Sequence, residues 1–140
     1  MPESYEHITI VKRVLAYVET EYAAVGTLRA LTDLPGDKLP TRPPIIGGYI
    51  PDVFCTDTPA TMTVIGEAKT SKDLQTHRSL QQIATFYDHL AHAQGGHLAI
   101  GVQWPDEAFV INFLKRLRSK APDKAVRASI VTELRVLQCF

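Results

Sequence analysis

The chain has 140 residues, 45% hydrophobic and 21% charged, which is long enough for one self-sufficient core and ordinary for a globular domain. Its 15 basic and 15 acidic side chains cancel, so bulk charge gives it no pull towards nucleic acid or a membrane surface. No apolar run reaches the roughly 18 residues of a membrane span. Cys55 and Cys139 are too few for a disulfide framework, and the acidic start MPESYEHITI lacks a secretory n-region. These features lead us to expect one cytoplasmic domain over residues 1–140, with no membrane association.

In chain order, residues 4 to about 24 read as an amphipathic helix. Tyr5, Ile8, Val11, Leu15, Val18 and Tyr22 form its apolar stripe, Ser4 its cap and Gly26 its close. A short strand around 27–32 follows. Residues 33–48, DLPGDKLPTRPPIIGG, hold four prolines and three glycines and make a long loop of the kind that carries function. Two strands, 49–56 and 62–69, are joined across Pro59-Ala60. A second helix spans 73–94, with Leu74, Leu80, Ile83, Ala84, Tyr87, Leu90 and Ala91 on one side, and Gly95-Gly96 ends it. Residues 97–103 form a strand, a third helix runs from Pro105-Asp106 to about Ser119, and 128–137 is the last strand. This order predicts an α/β fold with a mixed central sheet flanked by helices.

The strand 63–69 carries the chemistry. Val64, Gly66 and Ala68 share one face; Ile65, Glu67 and Lys69 share the other. A two-residue turn at Pro59-Ala60 puts Asp52 opposite Glu67, with Cβ atoms about 5 Å apart. Two carboxylates that close need a proton or a cation between them. A hard divalent ion, Mg²⁺, is the natural partner, since it accepts one or two carboxylates and completes its shell with water and phosphate. Lys69 beside it could orient or deprotonate an attacking water, or neutralise the charge of the phosphorus centre.

Pro51-Asp52, a gap, then Glu67-Ala68-Lys69, each led in by apolar strand residues, resembles the signature of the PD-(D/E)XK nuclease-like superfamily. The resemblance covers roughly residues 4–103. It implies an αβββαβ restriction-endonuclease-like core, here followed by a C-terminal helix and strand. It also implies a metal-dependent endonuclease that hydrolyses phosphodiester bonds in DNA, with Mg²⁺ (Mn²⁺ substituting) held by Asp52, Glu67 and the backbone carbonyl of Ala68, and with Lys69 as the catalytic lysine. Relatives often add an acidic residue from the first helix, for which Glu6 is the candidate. Some carry a glutamine-then-tyrosine motif on the helix after the lysine. Gln81 and Gln82 stand in that region, although Tyr87 lies one residue too far from Gln82.

Arg42, Lys72, His77 and Arg78 are candidate nucleic-acid contacts, Arg being suited to bidentate phosphate binding. The cluster Lys115, Arg116, Arg118, Lys120, Lys124 and Arg127 is either a phosphate track or a solvated helix face. His7, His89, His92 and His97 read as surface or satisfied core. A chain this small that cuts both strands of a duplex should act as a homodimer. The alternative function is a nuclease-fold module without turnover that binds nucleic acid or a protein partner, in a phage, mobile-element or other context.

Overall fold

The computed structural model describes residues 4–34, 42–58, 60–122 and 125–140. The expected turn residue Pro59, residues 35–41 of the proline-rich loop and Lys124 of the basic cluster lie outside them.

Helix α1, Tyr5–Glu21, begins where the Ser4 hydroxyl accepts a hydrogen bond from the His7 amide at 3.1 Å. Its buried stripe is Ile10, Val11, Val14 and Val18. That stripe is turned by about one residue from the one the spacing predicts, and Tyr5 is exposed instead. The sequence ITIVKRVLAYV is apolar over a broad arc, so periodicity locates the helix but not its azimuth. The helix ends at Tyr22, whose amide reaches the carbonyls of Val18 and Thr20; Gly26 lies beyond that end.

Six strands follow, β1 (Arg29–Thr32), β2 (Val53–Thr56), β3 (Thr63–Ala68), β4 (Gly96–Gly101), β5 (Val126–Val131) and β6 (Val136–Gln138), and they stand in the sheet in chain order. Strands β1, β2 and β3 pair antiparallel, β3, β4 and β5 parallel, and β6 returns antiparallel on β5. The parallel steps are bridged by α2 (His77–Ala91) and α3 (Glu107–Lys120). Helix α1 packs on one face against Val53, Cys55, Val64, Ala68, Ala99 and Val131. Helices α2 and α3 cover the other face, over Ile65, Leu98, Ile100, Ala128 and Ile130. The expected α/β class and mixed sheet are therefore present. No helix among the described residues is long and apolar enough to cross a membrane.

The main departures from the expected boundaries fall in four elements. The strand expected from Tyr49 starts at Val53, because Gly47 and Gly48, both at positive φ, turn the chain between Ile46 and Tyr49. The helix expected over 73–94 is a 3₁₀ turn, Asp73–Gln75, followed by α2. Thr76 is extended between them, and its hydroxyl accepts from the Ser79 amide at 3.2 Å. The strand expected over 97–103 stops at Gly101. The last expected strand is a hairpin, β5 to β6, in which the Thr132 hydroxyl accepts from the amides of Leu134 and Arg135 at 3.2 Å each; the turn holds no Gly, Pro, Asn or Asp to mark the reversal.

Two features fix α1 to the sheet. Near its N-terminal end it passes over glycines: a Cβ at Gly66 would lie 2.7 Å from Val14 Cγ1, and one at Gly101 would lie 2.7 Å from Ile10 Cγ2 and overlap Val14 Cγ2. At its C-terminal end the Tyr22 hydroxyl bonds His97 Nδ1, while His97 Nε2 meets the Ser129 hydroxyl at 2.7 Å. Burial, helped by the nearby Arg127 charge and opposed by Glu21, pushes the His97 ring down to about 4. The expected satisfied core histidine is what the structure contains.

Two predictions follow from this packing. Gly101→Ala should cost about 1–3 kcal/mol in urea unfolding, since the added methyl overpacks a rigid contact; an unchanged midpoint would mean that α1 can move away. The unfolded chain protonates His97 near 6.5 and the folded one only near 4, so its contribution is complete above 6.5 and is lost as pH falls through 4. Across that window the wild type should lose on the order of 3 kcal/mol more than His97→Gln, and superimposable pH profiles would refute this assignment.

Candidate active site

The hairpin register decides what meets at the ends of β2 and β3. Val53 pairs with Gly66 and Phe54 with Ile65, so Asp52, one residue before β2, falls opposite Glu67 as the turn chemistry predicts. The turn is held by Asp57, whose carboxylate accepts from the Thr61 hydroxyl and from the Met62 amide at 3.0 Å. Alternation along β3 is also as expected: Val64 and Ala68 pack under α1, while Ile65 packs under α2.

Asp52, Glu67 and Lys69 are 5%, 2% and 6% exposed, so each charge must be met inside the protein. The Ala68 amide donates to Asp52 Oδ2 at 2.9 Å, His7 Nε2 lies 3.3 Å from Asp52 Oδ1, and Glu67 stands opposite Asp52 across the hairpin. Burial alone would raise the Asp52 carboxyl. The hydrogen bonds from Glu67, His7 and the Ala68 amide, with the attraction of His7, overcome it and hold Asp52 below the usual carboxylate range. Two carboxyl groups that face each other in a buried site need a proton or a cation to offset their charge, and a divalent cation can take the proton's place.

Lys69 Nζ donates to Gln82 Oε1 of α2 at 2.6 Å. Its backbone is fixed on both sides. The Lys69 amide bonds the Gly101 carbonyl at 2.9 Å, and Thr70 and Asp73 exchange amide-to-side-chain bonds at 3.1 and 3.2 Å. Ser71 then donates to Asp106 at 2.5 Å, tying this segment to the start of α3.

The other expected residues are more dispersed. Glu6 is exposed and lines a neighbouring cleft; its neighbour His7, which sequence reasoning set aside as surface or core, is the α1 side chain at Asp52. His7 sits one heptad before Val14, on the stripe that α1 buries, and that position was the available signal. Gln82 reaches the lysine, whereas Gln81 is exposed and Tyr87 turns into the core. Arg42, Lys72, His77 and Arg78 are all exposed, with the Arg78 guanidinium 5.2 Å above the Tyr49 ring. In the basic cluster, Arg116 and Arg118 lie over Phe113 and Phe140, and Arg127 pairs with Glu21 at 2.6 Å.

Among the described residues, no three His, Cys, Asp or Glu side chains form a ready metal cage. Asp52 and Glu67 make a two-carboxylate oxygen set, which suits an ion that draws its remaining ligands from water and phosphate. Compared with known proteins, the chain matches no family model, no curated protein and no solved structure.

Gln82→Ala should cost roughly 1–3 kcal/mol of stability, because it removes the acceptor of a buried ammonium. Urea denaturation tests this, and no loss would mean that Lys69 finds another partner.

Proposed function

We propose that this protein is a metal-dependent endonuclease of the PD-(D/E)XK kind that hydrolyses phosphodiester bonds in DNA. The observation that carries the reading is the buried pair Asp52 and Glu67, opposite each other across the β2–β3 hairpin, with Lys69 two residues beyond Glu67. A buried acid pair adds nothing to stability that two apolar residues would not exceed, so its upkeep argues for use.

Asp52, Glu67 and the Ala68 carbonyl would hold Mg²⁺, which when bound supplies positive charge to the phosphate and acidifies water. Asp52 is oriented for this by His7 and the Ala68 amide. Gln82 aims the Lys69 ammonium, which neutralises the charge growing on the phosphate or steers the attacking water. The exposed Arg42, Lys72, His77 and Arg78 suit backbone phosphates. Cutting both strands of a duplex would take a second copy of the chain.

Supercoiled plasmid, branched DNA and single strands, incubated with Mg²⁺ or Mn²⁺ and with EDTA, test the proposal. Cleavage should require metal and fall about 100-fold or more in Lys69→Ala and in Glu67→Ala. Cleavage that survives either substitution would refute the assignment. A wild type inert on every substrate would favour a nuclease-fold binding module.

A further inference from the structure

A cleft of about 230 Å³ lies between the first turns of α1 and the segments that follow β4 and β5. Ile10 gives it an apolar side, Tyr5 and Arg13 stand on the helix, and Glu6, Gln103 and Glu133 supply the polar groups. Tyr5 is 86% exposed and Trp104, next to Gln103, is 56% exposed, although most large apolar side chains of the described residues are buried. The Trp104 amide fixes Glu133 by donating to Oε1 at 2.6 Å.

We propose that this cleft takes one unstacked nucleobase of the substrate strand, so that the substrate is single-stranded or frayed beside the bond to be cut. The idea rests on the nuclease reading and narrows its substrate. Two carboxylates against one guanidinium make the lining unwelcoming to phosphate, so the strand's backbone is not the occupant. A base has no charge, stacks on an aromatic ring, and presents amino protons that a carboxylate accepts, as Glu or Asp does from the cytosine N4 amine. The volume suits one ring system. Glu6 of the cleft and His7 at Asp52 belong to the same turn of α1, so one helical turn serves both the cleft and the acid pair.

Binding is measured in EDTA, where no cleavage occurs, by anisotropy of short labelled strands and by the emission of Trp104, the chain's single tryptophan. An oligo-dC strand should bind about tenfold or more tightly than an abasic strand of equal length and more tightly than oligo-dT, with a change in Trp104 emission. Tyr5→Ala should remove most of that preference, as expected where stacking contributes about 1–3 kcal/mol per base. Equal affinity for the abasic strand, a preference for blunt duplex, or an unaltered Tyr5→Ala variant would overturn the proposal. Failure of every strand to bind would do so as well, in favour of a protein partner for the cleft. Base-dependent binding with no cleavage of any DNA in Mg²⁺ would uphold the cleft and defeat the catalytic reading. Glu67-dependent cleavage without base preference would do the reverse.

Discussion

Two carboxyl groups that touch inside a protein set the terms for everything around them. Asp52 and Glu67 are nearly inaccessible, and their contact needs a proton, a cation or a compensating field. The fold supplies part of that compensation from two directions, the Ala68 amide within the sheet and His7 from α1, while Gln82 of α2 holds Lys69 nearby in the chain. The site thus lies where β2, β3, α1 and α2 converge, and each layer contributes one polar group to it.

The central part of this arrangement is legible in the sequence because β-structure is digital. Side chains alternate with period two, and a short hairpin admits few registers, so Asp57, Thr58 and Thr61 around the turn are enough to align Asp52 with Glu67. The buried run of β4 and the crossover helices follow from the same regularities. Gln82 was legible as a residue type in a region, but that it would hold Lys69 was not.

Helix azimuth is an analogue quantity, and there the reading drifts. Tyr5, Ile8 and Leu15 compete with Ile10 and Val14 for the buried side of α1, and the tighter packing wins because Gly66 and Gly101 admit the branched Val14 and Ile10 so closely. That rotation carries His7 inward and leaves Glu6 outside. The hairpin between β5 and β6 escaped for a different reason. Both arms are apolar, and what turns the chain is the Thr132 side chain accepting two amides, a local bond that composition does not advertise. The extended residue Thr76 interrupts a helical pattern in the same way.

Helix α1 is also a mechanical link. Its 17 residues make a rod of about 25 Å. One end carries the imidazole that steadies Asp52, and the other is tethered through Tyr22 to a histidine that burial keeps neutral down to about pH 4. Between them the rod passes closely over Gly66 and Gly101. A stiff body clamped at both ends has little play, so loosening the distant tether would shift the imidazole without any change among the acidic residues themselves. Durability and aim are in this way carried by one helix and its cap.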